Sequence, residues 1–176
     1  MSGTLIVQNL QGPASGANAN KIIVPAGQVL DASAGTFTPS VDQIVQVKTY
    51  YLVQQSGYRY FSSASWTATG DQLTITPVYV GSKIVFDVHY SMIDNPSGYT
   101  YLQLRLNGSL PSGVGIYHLG YMHGTTKRYA PFGGSHVMIT TNTSAILAEP
   151  YIFTGAGTCN IHEASSVIIK ATEIAQ

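Results

Sequence analysis

The sequence predicts an all-β protein: a two-sheet antiparallel sandwich of jelly-roll type, preceded by an extended N-terminal arm. Three observations predict it. Runs of alternating polarity recur through residues 41–176, as in strands with one buried face. No stretch combines helical spacing, good helix formers and capping residues. Gly, with 18 copies, and Tyr, with 12, stand beside abundant Ser, Thr, Val and Ile, which suits strands and turns.

Residues 1–40 form the arm. Residues 4–10, 21–25 and 28–31 are brief apolar runs separated by Gly, Pro and the small-residue stretch 12–20. Such runs are too short to bury a core of their own. Their side chains Leu5, Ile6, Val7, Ile22, Ile23, Val24, Val29 and Leu30, with Phe37 beyond them, are therefore read as assembly contacts. They would lie on a neighbouring subunit or wind with copies of the same arm.

The sandwich domain spans residues 41–176. In residues 44–53, Val45, Val47, Thr49, Tyr51 and Val53 share one face, and Gln46, Lys48 and Tyr50 share the other. Residues 59–61 and 65–67 read as short strands or loop edges. Residues 71–77 and 82–91 read as a pair of adjacent antiparallel strands punctuated by Pro77 and Gly81. Leu73 and Ile75 point to one side of the first; Ile84, Phe86, Val88 and Tyr90 share one side of the second, with Val85, Asp87 and His89 opposite.

Residues 99–106 place Leu102, Leu104 and Leu106 inward and Tyr101, Gln103 and Arg105 outward, before a tight turn at Asn107-Gly108. Residues 111–131 are glycine-rich without a clear period, an excursion with one strand in it. Long loops of this kind are functional or interface-forming. Tyr117, His118, Tyr121, His123, Lys127, Arg128 and Tyr129 are its candidate contact surface. Strands return at 136–140, 145–153 and 166–174, the last pinning the C-terminal end in a sheet.

Composition narrows the function. Charged residues make up 9% of the chain, against roughly 25% in ordinary soluble domains. Eight basic and eight acidic residues balance to zero, which excludes nucleic-acid binding through clustered cations and favours self-association. The single cysteine, Cys159, allows no intrachain disulfide and reads as a small buried side chain. No secretory leader and no membrane span are expected.

Catalytic chemistry finds little support. The five histidines, His89, His118, His123, His136 and His162, match no ligand spacing, so no metal or other cofactor is expected. The acidic residues are scattered singly. Asp71 and Asp94 read as turn residues bonding local backbone, and Asp87 and Glu149 as strand residues paired with Lys83, Arg105 or another cation. There is no nucleophile elbow and no phosphate-cradling loop, and no enzyme is expected. The tyrosine clusters 50/51, 58/60, 99/101 and 117/121 suit a stacking platform for sugars or, the favoured reading, subunit contacts.

The arm segments Gly3-Thr-Leu-Ile-Val-Gln-Asn-Leu10, Lys21-Ile-Ile-Val-Pro-Ala-Gly-Gln-Val-Leu-Asp31 and Gly35-Thr-Phe-Thr-Pro-Ser40 resemble the leader of small virion proteins of tailed bacteriophages, including phages of cyanobacteria. Leu73-Thr-Ile-Thr-Pro77, Gly81-Ser-Lys-Ile-Val85 and Leu104-Arg-Leu-Asn-Gly108 are similar to the head domain of the same proteins. The resemblance implies a non-enzymatic homotrimer with a jelly-roll head, assembled in the host cytoplasm into the virion. With one short arm and no stalk repeats, it implies a capsid decoration or cement protein. Its partners would be itself and the major capsid protein or other virion proteins, with no nucleic acid and no membrane. The alternative is a tail-fibre or receptor-binding head that recognises host surface glycan.

Overall fold

A computed structural model describes residues 41–53, 57–62, 64–95, 98–111, 119–123, 130–162 and 165–176. The whole arm, with Leu5, Ile6, Val7, Ile22, Ile23, Val24, Val29, Leu30 and Phe37, lies outside the described residues.

Among the described residues there are strands and no helix. In chain order they are β1 (Ile44–Leu52), β2 (Arg59–Phe61), β3 (Thr67–Ala68), β4 (Leu73–Ile75), β5 (Lys83–Asp94), β6 (Tyr99–Leu106), β7 (Gly120–His123), β8 (Ala130–Ile139), β9 (Ile146–Thr154), β10 (Cys159–Ile161) and β11 (Val167–Ile174). Sheet I runs β1-β11-β5-β10-β2, with β8 on the other side of the long β5. Sheet II runs β3-β9-β6-β7, with β4 also pairing β9. All pairings are antiparallel. The chain crosses from sheet to sheet between β2 and β3, β4 and β5, β5 and β6, β7 and β8, β8 and β9, and β9 and β10, as in jelly-roll connectivity.

Alternation places the core as the sequence predicts on β5. Ile84, Phe86, Val88 and Tyr90 are buried and meet Leu102, Leu104, Ile146, Ala148 and Ile152 of sheet II. Asn107 and Gly108, both with positive φ, close the two-residue turn after β6, where Leu106 and Ser109 exchange backbone hydrogen bonds.

The stretch 71–91, expected as a hairpin, is instead a corner between the sheets. β4 pairs with β9 in sheet II, and β5 pairs with β8 and β11 in sheet I. The corner is held by a buried carboxylate: Glu173 of β11 accepts hydrogen bonds from the backbone N–H of Val78 (2.9 Å) and Tyr79 (3.1 Å), from Ser82 Oγ (2.7 Å) and from Gln46 Nε2 (2.6 Å). Burial alone would raise its pKa, but these donors outweigh it and hold the carboxyl below the usual glutamate value.

Asp71, read as a turn residue, is a second buried acceptor that ties the sheets together. Its carboxylate pairs with Arg59 of β2 at 2.7 Å and takes hydrogen bonds from the hydroxyls of Tyr50 of β1 (3.1 Å) and Tyr90 of β5 (3.0 Å). Burial, followed by the Asp71 charge, pushes both phenols up, Tyr90 strongly. The residue is buried because its partners converge from sheet I on the strand preceding β4.

β8 starts at Ala130, well before the expected residue 136, and contains Gly133 and Gly134. A Cβ at Gly133 would overlap the Val88 carbonyl oxygen, and one at Gly134 the Leu119 carbonyl oxygen. Glycine is therefore what lets this strand approach its neighbours so closely.

Candidate functional site: the outer faces of the two sheets

The outer face of sheet I is built by register. Four rows cross β8, β5, β11 and β1: Ile139, Lys83, Ile174 and Ile44; Val137, Val85, Thr172 and Val47; Ser135, Asp87, Lys170 and Thr49; Gly133, His89, Ile168 and Tyr51. The first two rows are aliphatic except for Lys83 and Thr172, and Ile168 and Tyr51 end the fourth. Ile44, Val47, Tyr51, Val137 and Ile139 are each 50 to 60% exposed.

One ion pair sits within this face. Lys170 Nζ lies 3.0 Å from Asp87 Oδ2, and Ser135 Oγ donates to Asp87 Oδ1 at 2.6 Å. Burial raises the Asp87 pKa, but the Ser135 and Lys170 contacts outweigh that and leave it lowered. The expected strand pairing of Asp87 is present, with Lys170 rather than Lys83 as the cation. Beside the pair, Gly133 and Gly134 leave a shallow depression bordered by His89, Pro131 and Ser135.

The structure settles which face of β1 is buried. Tyr50 and Leu52 pack on the core, while Val47, Tyr51 and Val53 face out. The strand thus turns its valine face to the exterior, because the bulge at Ile44/Gln46 and the pairing with β11 seat Gln46 and Tyr50 on Glu173 and Asp71.

The outer face of sheet II is chemically different. One row crosses its strands with Trp66 just before β3, Phe153 on β9, Tyr101 on β6 and Tyr121 on β7. Neighbouring centroids are 5.6, 6.2 and 5.0 Å apart. Next to the row, the Arg105 guanidinium lies 4.2 Å from the Tyr151 ring centroid and donates its Nε–H to Gln103 Oε1 at 3.1 Å. Glu149, opposite Arg105 in register, accepts from Gln72 Nε2 at 3.0 Å instead.

Of the residues read as a loop contact surface, Tyr121 and His123 are exposed on β7. Tyr117, His118, Lys127, Arg128 and Tyr129 lie outside the described residues. The clustering of Tyr99 and Tyr101 was visible in the sequence; the part played by Trp66 and Phe153 comes from strand pairing at long range. Cys159 is fully buried, and burial pushes its thiol up to about 12. Among the described residues no group of three or more His, Cys, Asp or Glu side chains gathers as metal ligands would.

The fold and these faces define a two-sheet β-sandwich with exposed aliphatic side chains around an ion pair on one exterior and an aromatic row on the other. No family model matches the chain, and no curated protein matches it. Among solved structures it is similar to an Eiger TNF of S. frugiperda, with 9% identity and a TM-score of 0.42, covering 74% of this chain and 94% of that one. It is also similar to the C-terminal domain of EclA, a sugar-binding protein (14%, 0.33, 88% and 92%). A third likeness is to the VP2 subviral particle of infectious bursal disease virus, with 13% identity and a TM-score of 0.35, covering 93% of this chain and 46% of that one.

Proposed function

We propose that the protein is a non-enzymatic structural subunit that assembles with itself, as a homotrimer, through the outer face of sheet I. The observation that carries this reading is the cluster of exposed aliphatic side chains Ile44, Val47, Val137 and Ile139 about Val85 on the outer face. Four strands about 4.8 Å apart and about eight residues long present on the order of 500 Å², a large share of the roughly 800 Å² per partner of a standard interface. A low total charge, 9% of residues, supports the same conclusion.

The Asp87–Lys170 pair serves this assembly as a register device. At the surface it contributes little. Covered by a neighbour, it is already paired and hydrogen-bonded, so it tolerates burial while penalising a shifted docking that splits it.

The resemblance of the arm and of the Leu73–Val85 and Leu104–Gly108 segments to phage virion proteins supports a place in a bacteriophage particle, as a capsid decoration or cement protein. The arm residues from Leu5 to Phe37 would then contact the shell or a neighbouring subunit. Sedimentation equilibrium of the full chain should give three times 18.8 kDa; a monomer at all concentrations contradicts the proposal. Quantitative mass spectrometry of purified virions should give a copy number on the scale of the shell protein. A copy number on the scale of a single tail points to a fibre head.

A further inference from the structure

We propose that the outer face of sheet II is a binding platform for a neutral oligosaccharide laid across the strands, over Trp66, Phe153, Tyr101 and Tyr121. The site is separate from the assembly face and does not depend on it. The four rings form one continuous strip across four strands, each about 4.8 Å from the next, long enough to underlie several sugar units.

The strip is stiff before anything binds. Tyr99 braces it from the side, with its ring centroid 5.4 Å from Tyr101 and 6.3 Å from Phe153. That ring lies over Gly155, where a Cβ would collide with it. Rings held by one another have little rotamer freedom left to lose on binding.

The chemistry of the face selects the ligand. A pyranose has an apolar carbon–hydrogen face and a rim of hydroxyls, and flat aromatic side chains flanked by polar groups complement both. The rim group here is Arg105; Glu149, opposite it in register, is buried and already bonded to Gln72. Each sugar hydroxyl donates and accepts, so it can accept from the guanidinium. Charge decides between ligand classes: Arg105 and Glu149 contribute one charge of each sign, so a polyanion gains nothing net from the face. A second copy of the protein fits less well, because it would take the Arg105 guanidinium out of water without offering it a carboxylate.

The only tryptophan of the chain stands at one end of the strip, so its fluorescence reports on occupancy. The full chain is titrated with neutral hexasaccharides of the cello, xylo, malto and chito series, followed by Trp66 emission and by calorimetry. At least one series should give a saturable change. Tyr121→Ala, a change at an exposed ring, should weaken that binding about three- to tenfold. Gly155→Ala, whose methyl displaces Tyr99, should weaken it too, with circular dichroism unchanged; if this variant fails to fold, Tyr121→Ala carries the test. Val137→Asp, on sheet I, should leave binding intact whatever it does to the oligomer. Absence of saturable binding across the panel overturns the proposal. So does binding indifferent to Tyr121→Ala, binding of charged oligosaccharides alone, or subunit dissociation caused by Tyr121→Ala.

Discussion

Val137 of β8 stands directly opposite Val85 of β5, and both side chains point away from the core. The residues next to them, Met138 and Ile84, point inward and pack there. Sheet I therefore carries apolar side chains on both sides at this end, as sheets covered on both faces do. One side is covered by sheet II; the proposed assembly covers the second.

The Asp71 network should dominate the stability of the single sandwich. Asp71→Ala leaves the Arg59 guanidinium and the hydroxyls of Tyr50 and Tyr90 without their shared acceptor. A loss of about 3 kcal/mol is expected in urea unfolding, since removing one member of a buried pair strands the others. A loss below about 1 kcal/mol would show that water replaces the carboxylate at little cost.

Glu173 predicts a pH dependence with a definite sign. Its folded pKa is lowered from the ordinary 4.5, so its contribution is complete above that value and is lost as pH falls through the folded one. Wild type should exceed Glu173→Gln in stability at neutral pH, and the gap should shrink on acidification below about pH 4.5. Denaturant midpoints measured down to pH 3 check this, and a gap that widens in acid contradicts it.

Cys159 should be silent in the folded protein. With its thiol fully buried and pushed up to about 12, almost no thiolate exists at pH 8. Labelling by a disulfide reagent should proceed only as fast as the protein unfolds, and become immediate in denaturant. Rapid stoichiometric labelling under native conditions would contradict this burial.

Gly133→Ala should loosen β8. The added methyl meets the Val88 carbonyl oxygen, a backbone atom of the adjacent strand, so the strands must move apart. Overpacking of this kind costs about 1–3 kcal/mol. Thermal unfolding should show the loss, and faster hydrogen exchange along β8 and β5 should locate it.

How much of this was legible in the sequence depended on the range of the interactions. The core face of β5 and the Asn107-Gly108 turn are set by local alternation and backbone preference, and both read correctly. The corner between β4 and β5 did not, because what holds it is Glu173, about 95 residues further along the chain. The strand through Gly133 and Gly134 lacked a polarity signal, since its existence depends on the close approach of Val88 and Leu119. The aliphatic exterior did leave a trace: the run Val167-Ile-Ile169 carries apolar residues at successive positions, so that end of the strand is apolar on both faces. The aromatic row was half legible, through Tyr99 and Tyr101, while Trp66 and Phe153 joined it only through pairing of β3 with β9 and β9 with β6.

Sedimentation of Val137→Asp tests self-assembly through sheet I most directly. The position is exposed in the single sandwich, so the change should leave circular dichroism and unfolding of the subunit intact, while a buried unpaired carboxylate in the interface should disrupt the trimer. The expected result is a trimer for wild type and a folded 18.8 kDa monomer for the variant. A variant that remains trimeric at the same concentrations would contradict assembly through this face.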